Sequence, residues 1–219
     1  MQLIEAEQLA AELLPVLKPY CERIEVAGGV RRRKPEPHDL ELVAKPLLVL
    51  NPGLFGSEGY LDNGLDAGMH QLLARKVIHP GLERVNHRGT RAIPMKAPFS
   101  EKYYNFQYRG QSVDLFVVTP PADWGPIFTI RTGDASFTHW LVSYGWPKGI
   151  EFDQGIIWQH LDEKDRYIPL GKPHITPGHH RVQIPAPEEA DVFRILDLPQ
   201  YTPEQRSDAH IYTGRLMSV

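Results

Sequence analysis

The chain has 219 residues, of which 42% are hydrophobic and 23% charged, and its formal net charge is −3. That apolar fraction can offset the entropy of ordering, so an intrinsically disordered chain is excluded, and no apolar run approaches the roughly eighteen residues of a membrane span. The totals also exclude a strongly basic nucleic-acid binder, leaving Arg31-Arg32-Arg33-Lys34 as the dense basic cluster.

In chain order, Ile4, Leu9, Leu13, Val16, Leu17 and Tyr20 recur near a period of about 3.6 residues, which predicts an amphipathic helix over 4–20. Residues 23–27 alternate as a strand that stops at Gly28-Gly29, and the basic, proline-containing stretch 30–37 reads as a loop. A second strand covers 38–45, with Leu40, Leu42 and Ala44 on one face and Asp39, Glu41 and Val43 on the other. A long loop over 51–64 and a helix over 65–78 follow. The strand at 112–118 alternates in the same way, setting Val113, Leu115 and Val117 opposite Asp114, Phe116 and Val118. Thr119-Pro120-Pro121 breaks the chain and predicts a boundary between domains over 1–119 and 120–219. Beyond it come helices over 122–131 and 135–145. A hairpin of 156–160 with 166–170 and a short helix over 188–197 follow, and the last twenty residues carry no assignment. The expected class is α/β: a mixed sheet with helices, followed by a smaller α+β subdomain.

Asp39 and Glu41 lie two apart on a strand, so both carboxylates leave one face. Like charges that close repel unless a cation sits between them. Magnesium suits such a pair, because it takes carboxylate oxygens and accepts substrate phosphate oxygens. Asp114 reaches the same cleft if the two strands are neighbours. Acid-x-acid pairs are also common on solvated strand faces. What favours chemistry is the preceding Gly28-Gly29-Val30-Arg31-Arg32, where glycine lets backbone N–H groups approach an anion and arginine supplies a planar fork.

Gly28-Gly29-Val30-Arg31-Arg32, Asp39-Leu40-Glu41 and Val113-Asp114-Leu115 together resemble the nucleotidyltransferase core of the family X (DNA polymerase beta-like) polymerases. The similarity continues through Trp124-Gly125, a helix ending in Thr132-Gly133, Phe137, the Gly145 turn and Pro187–Phe193, and it loosely spans residues 5–206. It implies a palm-like catalytic domain over 1–119, a mixed sheet with helices on one face, and a nucleotide- and base-pair-binding subdomain over 120–219. By the same resemblance Asp39, Glu41 and Asp114 are catalytic and bind two Mg2+ ions, for which Mn2+ can substitute. Gly28, Gly29 and Arg32 hold the triphosphate. Ile130, Arg131, Thr132 and Gly133 approach the sugar of the incoming nucleotide, and His139 lies near the templating base. The implied partners are nucleoside triphosphates and a DNA primer-template or gapped DNA, in repair or small-genome replication, with the protein a monomer.

Four positions depart from the family pattern. Glu41 stands where Asp is usual, Gly29 replaces a phosphate-touching serine, Ile130-Arg131 replaces an aromatic pair, and Val142 replaces a template-contacting arginine. Loss of the aromatic pair implies weaker discrimination against ribonucleotides, below roughly a thousandfold, or about 4 kcal/mol. The lyase and helix-hairpin-helix modules of the family have no counterpart, so no removal of a 5′ deoxyribose phosphate is expected.

Two other functions remain open. A template-independent nucleotidyltransferase acting on RNA or another acceptor shares every metal and phosphate residue. A catalytically silent DNA-binding module keeps only the fold, and three intact acids count against it. His174 with His179-His180 lacks zinc-ligand spacing and reads as a polar loop. His38 points away from Asp39 and reads as structural. Tyr104, Phe106 and Tyr108 on one strand face are equally a base-stacking surface or core. Cys21, the single cysteine, forbids an internal disulfide and fits a reducing cytoplasm. With no leader-like N-terminus, the expected location is the cytoplasm of a bacterium or a virus-infected cell.

Overall fold

The computed structural model describes residues 1–51, 60–84, 92–94, 99–100, 102–170 and 178–207. The chain forms two compact units: Met1–Val30 with Lys34–Thr119, and Arg31–Arg33 with Pro120–Val219.

The first unit begins with helix α1 (Leu3–Leu17), strand β1 (Cys21–Val26), the short turn α2 (Gly28–Arg31) and β2 (Leu40–Pro46). The turn α2 replaces the start of the expected loop over 30–37. Next come β3 (Leu48–Asn51), β4 (Tyr60–Asn63), α3 (Gly64–Ala74), β5 (His79–Pro80), β6 (Leu82–Arg84), β7 (Ala92–Pro94), β8 (Phe99–Ser100), β9 (Tyr103–Tyr108) and β10 (Gln111–Val117). The main sheet runs β1-β2-β10-β9-β5, with β8 also pairing along β9. Among the described residues of this sheet, only the β2–β10 pair is parallel. Residues 60–63, expected in a loop, pair with β3 instead. The rest of that stretch, 52–59, lies outside the described residues.

Alternation decides the two faces. Leu40, Leu42, Ala44, Val113, Leu115 and Val117 pack into one core with Leu9, Leu13 and Leu17 of α1 and Leu65, Met69 and Leu72 of α3. Each fully buried leucine contributes about 1.5–3 kcal/mol, so both helices are held on this face. The stripe of α1 is rotated from the sequence reading, because Ala6 and Ala10 are buried while Ile4 is 65% exposed. Tyr104, Phe106 and Tyr108 join the same core. They are therefore packing residues and offer no stacking surface.

The second unit contains α4 (Trp124–Thr132), α5 (Ala135–Gly145), β11 (Ile150–Asp153), β12 (Ile156–Leu161), β13 (His180–Ile184) and α6 (Glu189–Leu196). Its three strands form an antiparallel sheet in chain order. The expected hairpin of 156–160 with 166–170 is corrected. Residues 156–161 pair with 150–153 around Gln154-Gly155, both at positive φ as a two-residue turn requires. Residues 166–170 return only through the single bridge Leu161–Tyr167, because at Gln159 both edges of β12 are already paired, with Ile150 of β11 and Val182 of β13.

Asp162 builds that return. Its carboxylate accepts from the backbone N–H groups of Arg166 (2.9 Å) and Lys164 (2.8 Å) and from the Arg166 guanidinium. Arg166 chiefly, with Lys164, holds the carboxyl down to about 2. A carboxyl lower in the folded than in the unfolded chain stabilises above its unfolded value, about 3.9. That contribution is lost as pH falls through the folded value. The amide resonances of Lys164 and Arg166 should therefore titrate near pH 2, and Asp162→Asn should abolish the transition. A midpoint near 4 would show that the turn does not hold the carboxylate.

Candidate active site

The parallel pairing of β2 with β10 sets Glu41 directly beside Asp114, with backbones about 4.8 Å apart. Asp39 immediately precedes β2, two residues from Glu41. All three side chains leave the sheet face opposite the helices and are half-buried. Burial first, and the negative charge of Asp114 second, push the Asp39 carboxyl above its usual range, while His38 and Lys34 pull against them. His38 itself is exposed.

Gly28 follows β1 at φ +58°, and the Glu41 carboxylate lies over it, so that an added Cβ would meet Glu41 Oε2 at 1.6 Å. Only glycine meets both demands. Gly29 is different, since its added Cβ would make an ordinary contact with Pro37 at 3.4 Å. The structure thus brings Asp39 and Asp114 close, while the longer arm of Glu41 rests on Gly28. Among the described residues no three His, Cys, Asp or Glu groups are gathered into a ready ligand set.

Asp114 has partners that the sequence reading missed. Tyr103 Oη donates to Asp114 Oδ1 at 2.7 Å, and Asn105 Nδ2 donates to the same oxygen at 2.6 Å. Burial, then the hydrogen bond and charge of Asp114, push the Tyr103 hydroxyl up to about 12, so it remains a donor at neutral pH. The available signal was Arg109-Gly110 between two alternating runs, which marks the β9–β10 hairpin. Both turn residues sit at positive φ. Once that hairpin is drawn, Tyr103 and Asn105 share a face with Asp114.

The remaining expected site residues belong to the second unit. Arg32 donates to the Thr132 carbonyl at 2.5 Å, and Arg31 donates to Thr132 Oγ1 at 2.7 Å while forming a paired ion bridge with Glu189. Thr132 is fully buried. The Ile130 carbonyl accepts from Thr138 Oγ1 at 3.1 Å. Gly133 donates its N–H to the Thr129 carbonyl and ends α4. Arg131 and His139 are exposed.

The histidines of 174–180 divide. His174 lies outside the described residues. His179 stacks on His160, whose ring also meets Glu151 Oε2 at 2.8 Å. Cys21 lines a groove of about 660 Å³ beside α1, and burial pushes its thiol up to about 12, which removes it as a nucleophile.

No helix among the described residues is long and apolar enough to cross a membrane. The chain matches no family model and no curated protein.

Proposed function

We propose that this protein is a nucleotidyltransferase of the family X DNA polymerase type, extending a primer 3′ end from nucleoside triphosphates. The observation carrying the reading is the in-register pairing of Glu41 with Asp114 on parallel neighbours, with Asp39 two residues from Glu41 on the same face. Gly28 beneath Glu41 supports it. The donor set fits a hard divalent cation, because carboxylate oxygens from adjacent strands suit Mg2+ and the Asp39–Asp114 repulsion is what a cation relieves. Rotation about the side-chain bonds of Glu41 would add its carboxylate to the other two.

Magnesium, when bound, neutralises charge on the phosphates and lowers the pKa of the attacking hydroxyl. The residues of the chain then have distinct duties. Asp39, Glu41 and Asp114 would hold the metals. Asp114 presents its open Oδ2 to the 3′ hydroxyl and accepts its proton. The hydroxyl oxygen bonds to the α-phosphorus, the bridging P–O bond breaks, and pyrophosphate leaves with the electron pair. Positioning and charge neutralisation carry most of the acceleration. Roles for Ile130, Arg131, Gly133 and His139 rest on the resemblance alone.

A template-independent transferase is the second reading. It is favoured by the engagement of Arg31 and Arg32 inside the second unit, which leaves Arg33 and Lys34 as the exposed cations of the basic cluster. Primer extension with and without template, using all deoxy- and ribonucleotides, decides between the two. No incorporation under any condition would refute both.

Duplex affinity should depend only weakly on salt. Each neutralised phosphate contributes about −0.9 to the slope of log affinity against log salt, and the expected slope is roughly −2 to −4. Replacing Arg33 and Lys34 together by alanine should flatten it by about 2. A steeper wild-type slope, or one unmoved by the double variant, would place the DNA surface elsewhere.

A further inference from the structure

We propose that Tyr103 and Asn105 are positioning residues that lock the Asp114 carboxylate, occupying Oδ1 so that Oδ2 alone is presented for metal and hydroxyl. The inference rests on the nucleotidyltransferase reading.

Register makes the arrangement. In the antiparallel β9–β10 pair, Asn105 stands opposite Asp114 and Tyr103 opposite Phe116. Core packing of Tyr104, Phe106 and Tyr108 forces the alternate residues onto the carboxylate face. Both donors converge on one oxygen, at 2.7 and 2.6 Å, and among the described residues nothing donates to Oδ2. Two directional bonds to one oxygen stop the carboxylate from rotating, which leaves the second oxygen aimed and unshared.

The donors are themselves held. The Tyr103 ring packs on Phe116, with centroids 5.3 Å apart. The Asn105 carbonyl accepts from the Gly81 N–H at 3.2 Å. Its side-chain oxygen fills the space a Cβ on Gly81 would need, 1.5 Å from that position. Among the described residues, Asn105 Oδ1 is buried without a partner. A buried acceptor left unpaired is unfavourable, and the amide keeps this orientation because its NH2 end must face the carboxylate. An asparagine present only to tie strands together would have no reason to leave an oxygen unsatisfied.

The test uses the whole chain, with Mn2+ binding followed by calorimetry without nucleotide, beside kcat, nucleotide KM and thermal midpoint. Tyr103→Phe keeps the ring and removes only the hydroxyl, and Asn105→Ala removes the amide. Each should weaken Mn2+ binding about tenfold and the pair up to about a hundredfold. In both, kcat should fall while nucleotide KM stays within about twofold. Gly81→Ala, which leaves every donor present but displaces the Asn105 amide, should match Asn105→Ala. If wild type binds Mn2+ through Asp114, as shown by loss on Asp114→Ala, yet the three variants bind it equally well, the positioning role is overturned. If wild type binds no Mn2+, the nucleotidyltransferase reading fails and takes this inference with it. A parallel loss of thermal midpoint and metal binding in Tyr103→Phe would assign the hydroxyl to folding and overturn its positioning role.

Discussion

Replacing Asp114 or Asp39 by alanine is expected to lower magnesium-dependent nucleotide transfer at least a thousandfold, about 4 kcal/mol of transition-state stabilisation, while the chain stays folded. The two losses have different physical content. Asp114→Ala removes the oxygen that takes the hydroxyl proton and leaves the Tyr103 and Asn105 donors without their acceptor. Asp39→Ala removes a carboxyl that burial and its neighbour already disfavour in the charged form, so stability should hold or rise slightly. Neither side chain belongs to the core formed by Leu40, Leu42, Val113 and Leu115. Steady-state turnover measured beside thermal midpoints checks both halves. Near-wild-type turnover in either variant would remove these acids from the chemistry. A collapsed midpoint would show them to be part of the fold.

The largest stability effect is expected at Glu189. Its carboxylate receives two bonds from Arg31 at 2.7 Å and one from Arg206, whose side chain is only 1% exposed. Arg206 also donates twice to the Tyr201 carbonyl, and Arg31 lies 3.9 Å from the centre of the Phe128 ring. Burial pushes the Glu189 carboxyl up, but the Arg31 hydrogen bond and the Arg206 charge outweigh it and hold the group below its usual value. Glu189→Ala leaves a buried guanidinium without its counter-charge, which costs about 3–5 kcal/mol. Urea titration at neutral pH measures the loss. Changing Glu189 and Arg206 together to methionine should recover only the part due to Arg206, because the buried Arg206 charge is then gone while half-buried Arg31 still loses its counter-charge. A single-variant loss below about 1 kcal/mol would show the triad to be a solvated pair. Because the carboxyl lies lower when folded, its contribution is full above about pH 4.5 and is lost as pH falls through the folded value.

The acids and their face were legible in the sequence, because a strand has a period of two and needs no partner to reveal it. Asp39 and Glu41 alternate with Leu40 and Leu42, and Asp114 alternates with Val113 and Leu115, so burying one set in the core puts the other on the opposite face, where the acids stay half-buried. The same local signals marked the helices α1, α4, α5 and α6 to within a few residues. Fold class followed from the mixture of strands and helices. The identity of the fold still rests on resemblance and on the experiments above.

Three features depended on partners distant in the chain, and there local pattern was silent. Tyr103 and Asn105 look like polar spacers in an aromatic strand. Only the register of β9 on β10 places them on Asp114. Arg31 and Arg32 look like phosphate ligands, and only the tertiary structure pairs half-buried Arg31 with the Glu189 carboxylate 158 residues away and Arg32 with the Thr132 carbonyl. The aromatic stripe 104–108 was ambiguous because core and stacking surface demand the same alternation, and only the presence of α1 and α3 beneath it decided the matter. Periodicity therefore determined which side chains share a face of their own strand, whereas tertiary packing decided which face is covered. It also decided which oxygen of Asp114 is already taken, since hydrogen bonds across strands depend on register, which no single strand encodes.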